Sequence, residues 1–279
     1  MNYILYNPHS GHGKSRECAD KIFAQCKEKA RIIDMTAVNY SELFEGIGAA
    51  DAVTVLGGDG TLNRFINETL DLHLPCKIFY YPSGTGNDFC VDITDKMPEE
   101  PIEITEYLKG LPTVTVGGKD YKFINGVGYG IDGYCCEVGD TMHREGKVPN
   151  YTAIAIKGLL FHFKPRNATV IVDGVEKTYK KVWIAPTMFG RHYGGGMIPT
   201  PAQSRSTESK KLSLMIFHGS SKFKTLMIFP SIFKGEHVKN TKYVEVVEGS
   251  EITVRFDAPT ALQIDGETHL NITEYTAKI

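Results

Sequence analysis

Three polar, glycine-rich stretches and one acidic turn carry the residue types in this chain that could do chemistry. The most informative is Gly57-Gly58-Asp59-Gly60-Thr61, which breaks the β-branched run Val53-Thr54-Val55-Leu56 and passes into helix-forming sequence through Asn63, Phe65 and Leu70. Three glycines in four positions let the backbone take positive φ and come close to a bulky anion. A helix behind the turn offers unpaired N–H groups and a positive dipole end, which suit a phosphate. Asp59 would repel that phosphate unless a cation lay between them. A divalent metal bridging Asp59 and a nucleotide phosphate resolves the conflict. The alternative is a glycine-rich hairpin turn with a solvated Asp. The other stretches are Asn7-Pro8-His9-Ser10-Gly11-His12-Gly13-Lys14, Pro82-Ser83-Gly84-Thr85-Gly86-Asn87-Asp88-Phe89, and the turn Asp265-Gly266-Glu267.

The elements that must position these loops follow from periodicity. Residues 1–94 alternate strand and helix, with strands at 3–6, 31–35, 52–56 and 76–81 and helices at 15–29, 41–47 and 62–70. Alternation at this spacing predicts a parallel sheet with helices on both faces, and ligands in such sheets sit at the carboxyl ends of the strands. Loops 7–14, 57–61 and 82–88 all fall at carboxyl ends, and their convergence is more specific than any one loop. A helix is expected to end near Lys109. From about residue 112 the texture changes to strands at 114–116, 122–127, 168–172, 181–186, 212–217, 243–247 and 252–256, an antiparallel sandwich or barrel. Helices interrupt it at 134–143, 151–163 and 223–233.

The 279 residues, 42% hydrophobic and 23% charged, suit one large or two ordinary domains with a sizeable core. A formal net charge of -2 gives no electrostatic case for nucleic acid. Met1-Asn2-Tyr3 enters an apolar strand directly, without a signal peptide, and no apolar run reaches membrane-spanning length. The six cysteines form no CxxC pair, so reduced thiols and a cytoplasmic setting are expected.

With these motifs in order, the chain resembles the diacylglycerol kinase catalytic-domain superfamily, in particular the small soluble bacterial lipid kinases. Asn7-Pro8 with Gly11 and Gly13 is similar to the family's first nucleotide loop, Gly57 to Thr61 with Asn63 to its signature, and residues 82–89 to its PxGTxNDF loop. Residues 123–130, FINGVGYG, resemble the FxN…G stretch opening the second domain, Gly194-Gly195-Gly196-Met197 with Pro201-Ala202 a later loop, and Asp265-Gly266-Glu267 the DGE near the carboxyl terminus. GGDGT alone is shared with NAD kinases and phosphofructokinases.

The resemblance implies an α/β nucleotide-binding domain over 1–112, a β-rich lipid-substrate domain over 113–270, an active site in the cleft between them, and a return of residues 271–279 to the first domain. It implies an ATP- and Mg2+-dependent kinase that phosphorylates a membrane lipid hydroxyl, diacylglycerol by default. The alternatives are a nucleotide- and lipid-binding module without turnover, or an NAD kinase. In this reading Asn7, Ser10, Gly57, Gly58, Gly60, Thr61, Asn63, Gly84, Thr85 and Asn87 hold the nucleotide, Asp59 holds the metal side, and Glu267 is the general base. Asp265 supports the turn, and Asp132 is an N-cap.

Two departures stand out. Thr115 and Ser209 occupy places where relatives carry carboxylates of metal-linked networks, and Lys210 or Lys211 could supply a structural cation's charge. Basic residues Arg144, Lys147, Lys157, Lys164 and Arg166, with His143, surround an apolar helix containing Leu159, Leu160, Phe161 and Phe163. That pattern fits peripheral membrane contact or ordinary core packing. A homodimer is left open.

Overall fold

The computed structural model describes residues 1–26, 29–84, 86–205 and 211–279, with the backbone alone described at His12. It divides into two units, Met1–Leu111 and Pro112–Ile279.

In the first unit β1 (Asn2–Tyr6), α1 (Ser15–Gln25), β2 (Ala30–Asp34), α2 (Tyr40–Glu45), β3 (Ala52–Gly57), α3 (Asp59–Glu68), β4 (Lys77–Pro82), α4 (Asp88–Thr94) and the short β5 (Ile102–Glu103) follow in order. The sheet runs β2-β1-β3-β4-β5, parallel except for β5. Strand β3 is buried almost throughout because both its faces are covered, which its unbroken apolar run requires. Helix α1 sets Ala19 and Ile22 against Ile4 and Leu56. The chain leaves β1 for β2 on one side and returns to β3 on the other. The sheet order therefore reverses between β1 and β3, and their carboxyl ends open the crevice where such sheets bind ligands.

Local departures have local causes. Helix α3 starts at Asp59 rather than near residue 62, so Asp59, Gly60 and Thr61 form its first turn. Helix α4 begins at Asp88, within the stretch 82–89 expected to be loop, and the helix expected before Lys109 is only the 3-10 turn Thr105–Leu108.

The second unit holds β6 (Thr113–Val116), β7 (Lys119–Lys122), β8 (Gly126–Tyr129), α5 (Ile131–Arg144), α6 (Tyr151–Lys157), β9 (Arg166–Val172), β10 (Val175–Ile184), β11 (Thr187–Met188), β12 (Leu212–His218), α7 (Lys222–Ile228), β13 (Val244–Gly249), β14 (Glu251–Ile264) and β15 (Glu267–Lys278). The strands pair antiparallel, and the ladder β14-β8-β11-β12-β10-β9 closes on itself through Ile252–Phe256 against Ala168–Val172. Helices α5, α6 and α7 pack on a cluster containing Trp183, Ile184, Met215 and Phe217. Residues 271–279 do not return to the first unit. They continue β15, paired with β14 on one edge and β6 on the other, with Tyr275 and Ala277 buried. The hairpin at Asp265-Gly266 commits the following strand to its neighbour, and two hydrogen-bonded edges leave it no route elsewhere.

Candidate functional site

In the first unit the three loops converge at the carboxyl ends of β1, β3 and β4. The Asn7 side-chain amide donates to Thr61 Oγ1 at 3.0 Å across the β1/β3 crevice. Ser83 N donates to Gly57 O at 3.0 Å, and Asp59 N to Gly86 O at 3.0 Å. The glycines are required for closeness rather than for positive φ. A Cβ on Gly84 would lie 2.3 Å from Gly58 Cα, and one on Gly57 would lie 2.3 Å from Thr61 Cβ. Neither Gly57, Gly58, Gly60, Gly84 nor Gly86 has positive φ. Gly11 does, at +59°, and a Cβ there would strike Ser83 O at 2.1 Å, so the first loop lies directly on the third. Ser10 N donates to Asn7 O at 3.0 Å, inside the short 3-10 turn Ser10–Gly13.

Asp59 holds this assembly together. It is buried, and its carboxylate accepts from Asp88 N at 2.7 Å and Phe89 N at 3.1 Å, two of the amides that α4 leaves unpaired at its start. Asp59 is therefore a clamp between the second and third loops, and its bonds explain why α4 begins where it does. The Tyr80 hydroxyl, fully buried, supports the same strand end by donating to Gly57 O at 3.0 Å. Burial first, and the nearby Asp59 carboxylate next, push its ionisation far above the usual phenol range.

Tested against a nucleotide, the donor set fits. The first turn of α3 presents Gly58, Gly60 and Thr61, and among the described residues Ser83 Oγ and Asn87 Oδ1 are buried without hydrogen-bond partners. Asn87 uses its amide nitrogen on Gly84 O at 2.8 Å, which aims the unpaired oxygen. Two orphaned polar atoms beside a helix start are groups that a ligand would satisfy. Asn63 is different: it lies buried one turn further along α3, where its Oδ1 accepts from Asn67 at 3.2 Å. Thr85 lies outside the described residues. A Mg2+ carried chiefly by nucleotide phosphates needs only one or two protein carboxylates. Among the described residues no group of three or more His, Cys, Asp or Glu side chains stands together.

In the second unit Asp265 and Gly266 are the centre of a two-residue hairpin, both with positive φ (46° and 95°), and Ile264 pairs with Glu267 across it. This is a type I′ geometry, which selects Asp-Gly. The buried Asp265 carboxylate accepts from Ile124 N at 2.6 Å, Asn125 N at 2.8 Å and Gly126 N at 2.9 Å. From the other side Arg205 donates to Ile124 O and to Asn125 Oδ1, the latter at 2.7 Å. The FING segment is thus fixed from both sides, which ends β7 at Lys122 and delays β8 to Gly126 where one strand was expected. Glu267 emerges exposed from this rigid turn. Helix α5 packs along both strands of this hairpin, and burial first, then Asp132, push its Cys136 thiol well above the usual range.

The N-cap of α5 is Gly130, not Asp132. Asp132 is buried behind the Glu267 hairpin, accepts from Tyr193 Oη at 3.0 Å, and has its ionisation pushed up to about 6 by burial. Tyr193 and Gln263, its partners, were not singled out in sequence, although Tyr193 precedes the quoted Gly194-Gly195-Gly196 run and Gln263 sits two residues before Asp265. At the two departures, Thr115 donates to Asp120 at 2.6 Å, so a carboxylate stands beside it from β7. Lys211 is exposed, and Ser209 and Lys210 lie outside the described residues.

Residues 2–117 match the diacylglycerol kinase catalytic domain, and residues 125–276 match the YegS C-terminal NAD kinase beta sandwich-like domain. The chain belongs to this lipid kinase family. A diacylglycerol kinase of Mycobacterium tuberculosis is 27% identical over 252 residues, covering 84% of this chain and 79% of its own length. A Staphylococcus epidermidis relative with a provisional lipid-kinase name is 26% identical over 289 residues, 96% of this chain and 90% of its own. A crystal structure from Bacillus anthracis superposes with TM-score 0.70 at 18% identity, covering 100% of this chain and 91% of that one, a likeness of fold.

Proposed function

We propose that this chain transfers the γ-phosphoryl group of ATP to the hydroxyl of a membrane lipid, diacylglycerol first among them. The observation that carries the reading is the set of buried, unpartnered Ser83 Oγ and Asn87 Oδ1 atoms beside the N-terminus of α3, at the β1/β3 crevice. ATP with Mg2+ would supply the transferable phosphoryl group and the cation that neutralises it. The chain's own part is positioning, electrostatics and one proton. Amides and hydroxyl at the start of α3 receive phosphate oxygens, and Asn7 keeps Thr61 oriented. Asp59 locks the Gly57–Thr61 and Ser83–Phe89 segments in register by its two amide bonds rather than acting as a sole metal ligand. The hydroxyl that attacks must lose a proton, and Glu267, exposed on a turn that Asp265 immobilises, takes it.

The test offers diacylglycerol, a sphingoid base and NAD side by side with radiolabelled ATP, with and without magnesium. Label in phosphatidic acid, dependent on magnesium, is expected. Label on NAD alone, or on no acceptor, overturns the reading, and nucleotide binding without transfer would leave a binding module in its place.

A further inference from the structure

Helix α6 continues into the π-turn Gly158–His162, and α7 into the 3-10 turn Phe229–Lys234. Both pack on the same cluster through Ile154, Leu159, Phe163, Ile228 and Ile232, and Lys222 Nζ joins them by donating to Leu160 O at 3.1 Å. The apolar positions of these segments thus split into two sets. The Phe163 amide reaches back five residues to Gly158 O at 2.7 Å, and this wider turn keeps Leu159 and Phe163 inward while Leu160 and Phe161 face out. Phe161 is 72% exposed, Phe223 74% and Met227 59%, with Ile156 and Leu160 also on the outside. Phe223 and Met227 are four apart on one face of α7, and Ile156 of α6 is four before Leu160 of its continuing turn. Core packing accounts for the inner set alone.

The surrounding charge is one-sided. Residues 151–166 and 222–234 contain six Lys and Arg and no Asp or Glu, in a chain whose net charge is -2. Lys157, Lys164, Lys222 and Lys234 are all exposed. Protein interfaces are depleted in lysine, whereas an aromatic and aliphatic centre ringed by lysine suits a bilayer with anionic headgroups. We propose that this face of α6, α7 and their continuing turns docks on an anionic lipid surface, with Phe161, Phe223 and Met227 entering the acyl boundary and the lysines meeting lipid phosphates. The inference rests on the lipid-kinase reading only for the route of the acceptor. Tyr151 of α6 stands over Gly139 of α5, where a Cβ would lie 2.7 Å from its ring, and α5 packs along β14 and β15, the strands of the hairpin that carries Glu267. A single helix therefore connects the face to the proposed base.

Vesicle flotation of the full chain tests it, using phosphatidylcholine vesicles with and without phosphatidylglycerol. The wild type is expected to float with the anionic vesicles and to release as salt rises. Phe161→Asp with Phe223→Asp should weaken partition by at least about tenfold. Lys157→Ala or Lys164→Ala should weaken it about fivefold each. Val175→Asp, at a 74% exposed position on the β9–β10 hairpin, should float as wild type. Unchanged thermal melts are expected, since every altered side chain is exposed. The proposal is overturned if wild type floats with neither vesicle, if the double variant floats as well as wild type, or if the double variant instead dissolves a dimer of a wild type that ignores vesicles. Transfer to a water-soluble short-chain diacylglycerol is scored separately and should survive in the double variant. Failure of wild type in that assay speaks against the kinase reading and leaves the flotation result intact.

Discussion

Asp59 and Asp265 look alike in sequence, each an Asp followed by Gly at the end of a strand, and each directs its carboxylate to backbone amides of a distant segment. The differences lie in what is tied. Asp59 opens a helix and accepts the first amides of α4, 29 and 30 residues on. Asp265 sits at positive φ in a hairpin and accepts three consecutive amides of the FING segment, about half the chain away. In both motifs the buried acid ties backbone amides, and the residue two positions later, Thr61 or Glu267, is the one to which the proposed function gives a ligand. A carboxylate in a motif is thus assigned by what its oxygens touch, not by its proximity to glycines.

Breaking the clamps should rank them. Each buried amide deprived of its acceptor costs roughly 1–3 kcal/mol. Asp265→Ala, which strands three amides, should therefore cost roughly 3–9 kcal/mol, and Asp59→Ala, which strands two, roughly 2–6 kcal/mol. Denaturant unfolding followed by a probe in each unit measures both, because a chain of two units need not unfold in one step. Equal costs, or no cost at Asp59, would dissolve the comparison.

Asp132 sharpens it as a buried carboxylate whose Oδ1 has no hydrogen-bond partner. Its ionisation is raised from 3.8 to about 6, so the folded chain holds its proton more tightly than the unfolded chain. The stability this provides is fully present below about pH 4 and is lost as pH rises through about 6. The loss amounts to at most about 3 kcal/mol for two pH units of displacement. Asp132→Asn should abolish that slope. His218 and His237, depressed by burial, act with the opposite sign and cancel in the difference between variant and wild type. Parallel stability curves for the two proteins from pH 4 to 7 would mean that Asp132 does not titrate there.

Much of this was legible in sequence because the signals are local. A β-branched run followed by glycines gives β3 and the start of α3, and three polar loops at strand ends give the crevice. The parts that were not legible depend on remote partners. Helix α4 starts where Asp59 supplies its cap: Asn87, a favoured N-cap type, stands at that position without capping through its own side chain. The glycines of the second and third loops are needed because Gly58 and Gly84 touch each other, a reason invisible until both loops are placed. Asn63 matches a motif yet faces along its own helix to Asn67. Residues 271–279 pair within the second sheet because a type I′ hairpin precedes them; the sequence shows Asp265-Gly266-Glu267 as a turn, but not that the strand after it stays with β14.

The central claim is that Glu267 is the proton acceptor of a phosphoryl transfer whose nucleotide is held by the loops of the first unit. Steady-state turnover of Glu267→Gln on diacylglycerol, measured alongside its ATP affinity, tests that claim most directly. Gln keeps the size and removes the base, so kcat should fall by about 10²–10⁴-fold while ATP affinity stays at the wild-type value. Turnover equal to wild type, or a loss confined to ATP affinity, would contradict the account.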